Sequence, residues 1–246
     1  MDVVTLKQMC SDFDSVSLCN AHVMDLHKHS DNISHLISVA KENNRYLDFD
    51  DMSKPGFSEN KFMDEILVGE YHRDVYIAWY QVSNFDDYKK LIMKFYNKEI
   101  PAVPDHDGPW NFETSLILPQ LKSIVTTTPF VPSSSQPGMI MYNNPIEKHP
   151  YIQIPYVYVT STISNIQKLL QTIYTHENFY RIKYVTNSLQ QVHIDRLCIN
   201  FRETMSYAVL GLCMDLPERF DDDFLYYIFT DKFFDDMYTA AKLCIS

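Results

Sequence analysis

The stretch "YIQIPYVYV", residues 151–159, places three tyrosines in nine residues around a single proline. On a strand, Tyr156 and Tyr158 alternate with Val157 and Val159, so both phenols point to one face and both valines to the other. Pro155 has no N–H to give to a ladder, and this predicts a sheet edge or a bulge at that position.

Downstream, apolar residues return with a helical period. Ile163, Ile166, Leu169, Leu170 and Ile173 share one face of a helix from about Ile163 to Tyr174. "FYRIKYV", "VHIDRLCINF" and "MSYAVLGLC" then read as strands. The C-terminal "ERFDDDFLYYIFTDKFFDDMYTAAKLCIS" reads as one helix or two helical pieces. Upstream, "SDNISHLISVAKENN" predicts a helix with Ile33, Leu36, Ile37 and Ala40 on one face and Ser30 or Asp31 as its N-cap. "EILVGEYHRDVYIAWYQV" reads as a hairpin turning near His72 to Asp74. Ser83 opens a second helix, with Asp86 in the capping-box position and a buried stripe of Phe85, Tyr88, Leu91, Ile92 and Phe95. Residues 113–150 read as irregular, and "TTTPFVPSSSQPG" as a long surface loop.

The expected fold is mainly β with helices (α+β). Its core is an antiparallel, jelly-roll-like β-sandwich with N-terminal and C-terminal helical extensions. Residues 1–246 are expected to form a single domain. It comprises a helical arm and loop over 1–60, a β-rich core over 61–213 and a C-terminal helical segment over 214–246.

Composition narrows the function classes. The chain has 246 residues, 46% of them apolar and 22% charged, as in globular proteins. Its formal net charge is -11, and its densest basic pair is Lys89-Lys90. Phosphate backbones and anionic bilayers need clustered Lys and Arg, so neither nucleic acid nor membrane is an expected partner. No apolar stretch reaches the ~18 residues that span a bilayer. "MDVVTLKQMCSDFD" lacks the basic and apolar regions of a signal peptide, so a cytosolic start is expected. The five cysteines, Cys10, Cys19, Cys198, Cys213 and Cys244, include no CxxC pair. Buried free thiols are expected, and the odd count leaves room for an intermolecular disulfide through Cys10, Cys19 or Cys244.

Catalytic motifs are weak. His22, Asp25, His27, His29 and His35 crowd together, but their spacing is not that of a helical HExxH site, so solvated histidines are expected and no metal. Asp105, His106 and Asp107 flank an imidazole with two carboxylates, which holds it protonated and suits a rigid turn better than a base. His193 and Cys198, five apart on one strand, would face opposite sides. No GxSxG, GxxxxGK[ST] or GxGxxG occurs. "FDDDF" and "FFDDM" lack the alternating ligands and glycine of a calcium loop, and read as solvated acidic helix faces. Neither a catalytic residue nor a cofactor is expected. What remains abundant is adhesive: 17 Tyr and 15 Phe against 5 Gly.

Residues 164–203, "SNIQKLLQTIYTHENFYRIKYVTNSLQQVHIDRLCINFRE", resemble the C-terminal part of the baculovirus polyhedrins and granulins, the matrix proteins of viral occlusion bodies. There a helix runs into a Glu-Asn-Phe-Tyr turn, then a short strand, a polar turn and an apolar strand. Glu177, Asn178, Phe179 and Tyr180 match that turn. "MDEILVGEYHRDVYIAWY" is similar to the family's first hairpin, and "AVPDHDGPW" resembles a Val-Pro-Asp…Pro-Trp stretch of cypovirus polyhedrins. The chain is poorer in glycine than the family, continues well past the last matching strand and lacks the basic nuclear-import cluster. That last departure points to the cytoplasm of the infected host cell.

The resemblance implies a β-sandwich core, trimers and a lattice built around virions, stable at neutral pH and dissolving in alkali. The 17 Tyr and 15 Lys titrate near ~10 and ~10.4, and the five Cys near ~8.5. The formal charge of -11 would then fall to roughly -35 by about pH 10.5. Tyr151, Tyr156, Tyr158, Tyr226 and Tyr227 are the candidate lattice contacts and pH switches. Two other readings compete. One is an intracellular viral protein-binding module that acts on a host partner through the acidic aromatic C-terminal segment. The other is a metal-dependent enzyme built on His22 to His35.

Overall fold

A computed structural model describes residues 23–25, 32–48, 82–100, 112–142, 150–185, 207–215, 217 and 220–245. The described residues form a mixed α+β protein. In chain order the elements are β1 (Val23–Asp25), α1 (Ile33–Glu42), β2 (Tyr46–Asp48), α2 (Phe85–Tyr96), α3 (Phe112–Thr127), β3 (Val131–Gln136), β4 (Met139–Tyr142), β5 (Tyr151–Gln153) and β6 (Tyr156–Thr162). They continue with α4 (Ile163–Thr175), a 3-10 turn (Glu177–Phe179), β7 (Ile182–Val185), β8 (Tyr207–Met214), α5 (Asp222–Phe229) and α6 (Lys232–Leu243). More of the described chain is helical than extended, so helices are not mere extensions of a β core.

"YIQIPYVYV" is two strands in two sheets. One sheet runs β1-β5-β4-β2, the other β3-β6-β8-β7. The chain leaves the first sheet after Gln153 and enters the second at Tyr156, with Ile154 and Pro155 as the corner. Pro155 therefore marks a break, and β6 beyond it is an inner strand, not an edge. A second corner lies opposite. β3 ends at Gln136, β4 begins at Met139, and Pro137 and Gly138 join them across the same two sheets. Gln136 faces Tyr156, and Met139 faces Gln153. One antiparallel register thus runs through a long hairpin that is bent so that its halves join different sheets. Gln153 Nε2 donates to the Pro137 carbonyl across the bend at 3.0 Å. Only β2 and β4 pair in parallel among the described strands.

The stretch expected to be a surface loop is core structure. Phe130 and Val131 are fully buried, and β3 carries Pro132 on an edge strand, where the register shifts between Pro132 and Ser134. A proline is tolerated there because no ladder N–H is required of it. Residues 112–127, also expected to be irregular, are helical despite Pro119. Ile117, Leu121, Ile124 and Val125 bury one stripe of α3, and Pro119 lies on the exposed side. That burial offsets the ~3 kcal/mol a helical proline costs.

Helix starts fall beside the expected caps. Asn32, rather than Ser30 or Asp31, accepts from the His35 N–H at 3.2 Å, and Asn84, rather than Ser83, accepts from the Asp87 N–H at 2.8 Å. α4 is as expected, with Ile166, Leu169, Leu170 and Ile173 buried. The C-terminal run is two helices. Phe224, Phe229, Phe233 and Phe234 are each fully buried, and they join one continuous core with α1 to α4 and both sheets. The predicted hairpin over residues 65–82, of which only Val82 is described, lies outside the described residues, as does "VHIDRLCINF".

Candidate functional site

The chemically richest region gathers around α5 and α6, because five aspartates flank their first turns. Asp221 accepts from the Phe224 N–H at 2.7 Å and caps α5. It also pairs with Arg181 at 3.3 Å. Asp222 and Asp223 are exposed in the first turn of α5. Asp231 stands at the N-cap of α6, yet its carboxylate caps no amide. It pairs instead with Arg45, and accepts from Gln120 Nε2 at 3.2 Å. Gln120 reaches Asp235 as well, at 3.2 Å.

Asp236 corrects the expectation that "FFDDM" is wholly solvated. Its side chain is buried and held by two donors, the Tyr227 phenol at 2.6 Å and the Lys232 ammonium. A buried carboxylate needs such partners to stay charged. Burial pushes the Tyr227 phenol up from its ordinary pKa, and the hydrogen bond to Asp236 adds to the rise. Arg45 shows the opposite sign: burial lowers its pKa, and Asp231 partly restores it.

Two tyrosine–aspartate pairs here each hold a cation. Arg181 lies over the Tyr180 ring at 5.1 Å while pairing with Asp221. Lys232 lies over the Tyr227 ring at 5.6 Å while pairing with Asp236. The Tyr180 and Tyr227 rings meet edge to face at 6.5 Å, so the two assemblies share a border.

The candidate tyrosines divide. Tyr156 and Tyr158 do share a face, with rings in edge contact at 5.7 Å. Tyr151, Tyr158 and Tyr227 are buried inside the protomer, Tyr156 is half-buried, and Tyr226 is 56% exposed. The first three therefore cannot serve as surface contacts between copies. The hydrophobic core takes their rings, and no surface is left to share. Tyr174 and Tyr180, at 50% and 58%, are exposed phenols outside that candidate set. Their position at the C-terminal ends of apolar-striped segments is the sequence signal that could have found them. In the turn, Phe179 is buried while Glu177, Asn178 and Tyr180 are exposed.

Cys244 is half-buried, and its Sγ donates to the Ala241 carbonyl at 3.2 Å. Burial raises its thiol to about 11, and that of buried Cys213 to about 12. Both are poor thiolates at neutral pH, which slows thiol–disulfide exchange at either. Cys10, Cys19 and Cys198 lie outside the described residues. So do His22, His27 and His29 of the histidine cluster, and Asp105, His106 and Asp107. His35 is exposed on α1 and lines a groove of about 280 Å³ between α1 and α5. Among the described residues no three His, Cys, Asp or Glu side chains gather to hold a metal, and no helix is long and apolar enough to cross a membrane.

Compared with known protein families and with curated proteins, the chain matches none.

Proposed function

We propose that the chain is a structural, non-catalytic protein that assembles with copies of itself, in the manner of the occlusion-body matrix proteins it resembles. The distribution of exposed apolar side chains carries this reading. Among the described residues the large exposed ones are Tyr174, Tyr180, Tyr226, Leu243 and Ile245. All five sit on or beside α4, α5 and α6. Tyrosine brings contact area at little entropic cost, and it suits weak contacts repeated many times. The order of helix α4, 3-10 turn and strand β7, residues 163–185, is the order that the resemblance implies for this part of the chain.

In this reading the two four-stranded sheets are the halves of a jelly-roll-like sandwich. Copies form trimers and then a lattice around virions, in the cytoplasm of an infected cell. No cofactor, nucleic acid or membrane takes part. Alkaline dissolution would act within the protomer as well as between copies, because Tyr227 and Tyr96 are buried phenols.

Light scattering and microscopy of the expressed protein from pH 7 to pH 11 test the proposal. Particles at neutral pH that clear above about pH 10 are expected. A protein recovered only as dispersed monomer at high concentration in neutral buffer would rule it out.

A second reading, a module that binds a host partner through the acidic aromatic C-terminal segment, is favoured by the joint exposure of Asp222, Asp223 and Tyr226 on α5. It expects a soluble monomer or dimer in the same assay. Deleting residues 215–246 does not test it, since that removes four fully buried phenylalanines and with them the core.

A further inference from the structure

Beside the two tyrosine–aspartate pairs that hold Arg181 and Lys232 stands a third. Asp222 and Tyr226 are four residues apart on α5, hence neighbours on one helix face. Both are exposed, and both line the groove between α1 and α5. Among the described residues no cation pairs with Asp222. The lining joins the apolar Val39, Leu225 and Phe229 to the polar His35, Asn43 and Thr230, and Asp222 is its sole formal charge.

We propose that this groove is a docking slot for an arginine-bearing segment of a different protein. The arginine stem would lie on Val39, Leu225 and Phe229, and the guanidinium would stack on Tyr226 and pair with Asp222. Arg181 between Tyr180 and Asp221, and Lys232 between Tyr227 and Asp236, show the same ring-plus-carboxylate chemistry filled, there with each ring and carboxylate on different elements. A planar guanidinium serves a ring and a carboxylate together better than an ammonium does. The chain's formal charge of -11 favours a basic partner over a second copy. This rests on the second reading above and deepens it, since it names the ligand chemistry that Asp222 and Tyr226 would take; dispersed protein that fails to bind the Arg peptide would overturn the slot and leave that reading standing.

Fluorescence anisotropy on the full chain, kept below the concentration at which it scatters, tests the slot. The probe is a fluorescein-labelled hexapeptide alternating Arg and Leu, with a counterpart carrying Glu in place of Arg. Circular dichroism confirms that each variant is folded. The Arg peptide is expected to bind and the Glu peptide not to. Asp222→Asn and Tyr226→Ala should each weaken binding about fivefold or more. Asp223→Asn makes the same charge change on the same helix outside the groove, and should leave the affinity unchanged. Absence of Arg-peptide binding to the native chain overturns the proposal. So does full affinity in Asp222→Asn or Tyr226→Ala. An equal loss in Asp223→Asn also overturns it, because it would reduce the effect to diffuse charge.

Discussion

The phenol of Tyr227 donates to the buried carboxylate of Asp236 across 2.6 Å, joining α5 to α6 nine residues apart. The bond is made only while the phenol keeps its proton, so it ties the packing of the helix pair to pH.

Tyr227 has a folded pKa above its unfolded one, chiefly through burial. The unfolded chain therefore releases this proton first. Stability is whole below about pH 10 and falls by up to about 1.4 kcal/mol per pH unit above it. Tyr96, buried and donating to the Pro132 carbonyl at 3.3 Å, is shifted in the same direction and steepens the fall. Tyr227→Phe should cost about 1–3 kcal/mol at pH 7 and remove one proton's share of the alkaline slope. Urea unfolding at pH 8, 10.5 and 11.5 measures both. Equal slopes in variant and parent would show that this phenol does not titrate with unfolding.

Arg45 and Asp231 form a partly desolvated ion pair between the end of α1 and the start of α6. Asp231→Ala leaves a buried guanidinium without its partner. The loss should be about 2–3 kcal/mol, below the 3–5 typical of wholly buried pairs because the Asp231 side chain is 35% exposed. Adding Arg45→Met should recover part of that loss, as a urea double-mutant cycle would reveal. Strict additivity of the two changes would count against coupling.

Gly138 sits where the corner between β3 and β4 presses on α5. A Cβ at this position would collide with the Ile228 carbonyl, a backbone atom that cannot swing aside. Gly138→Ala is expected to destabilise by about 1–3 kcal/mol or more. A thermal melt within a degree of the parent would contradict this contact.

Cys213 and Cys244 should resist alkylation in the native protein. With thiols raised to about 12 and about 11, each holds little thiolate at pH 8. Iodoacetamide labelling followed by mass spectrometry should find both modified only after unfolding. Native labelling of Cys244 at the rate of a free thiol would contradict this burial effect.

Where one physical signal dominated, the sequence was legible. α4 followed from its 3.6-residue stripe, and the C-terminal run was legible as helical, with its division into two helices left open. α3 was obscured by Pro119, although Ile117, Leu121, Ile124 and Val125 carry the helical spacing. β3 was obscured by Pro132 and three serines, because an edge strand tolerates residues that local propensity assigns to loops. Burial of Tyr151, Tyr158 and Tyr227 was not legible, since a phenol suits a core and a surface equally well. The Arg45–Asp231 and Tyr180–Tyr227 relationships depend on tertiary approach, which no local spacing encodes.

The bent hairpin gives the molecule a mechanical property. Each corner is only two residues long, a tether of roughly 7 Å. Neither sheet can peel away while the other stays intact, because the same two chain segments would have to stretch at both corners. Loss of order at one sheet must therefore travel to its neighbour, and amide protons of β4, β5 and β6 should exchange with a common opening free energy, as a single cooperative unit.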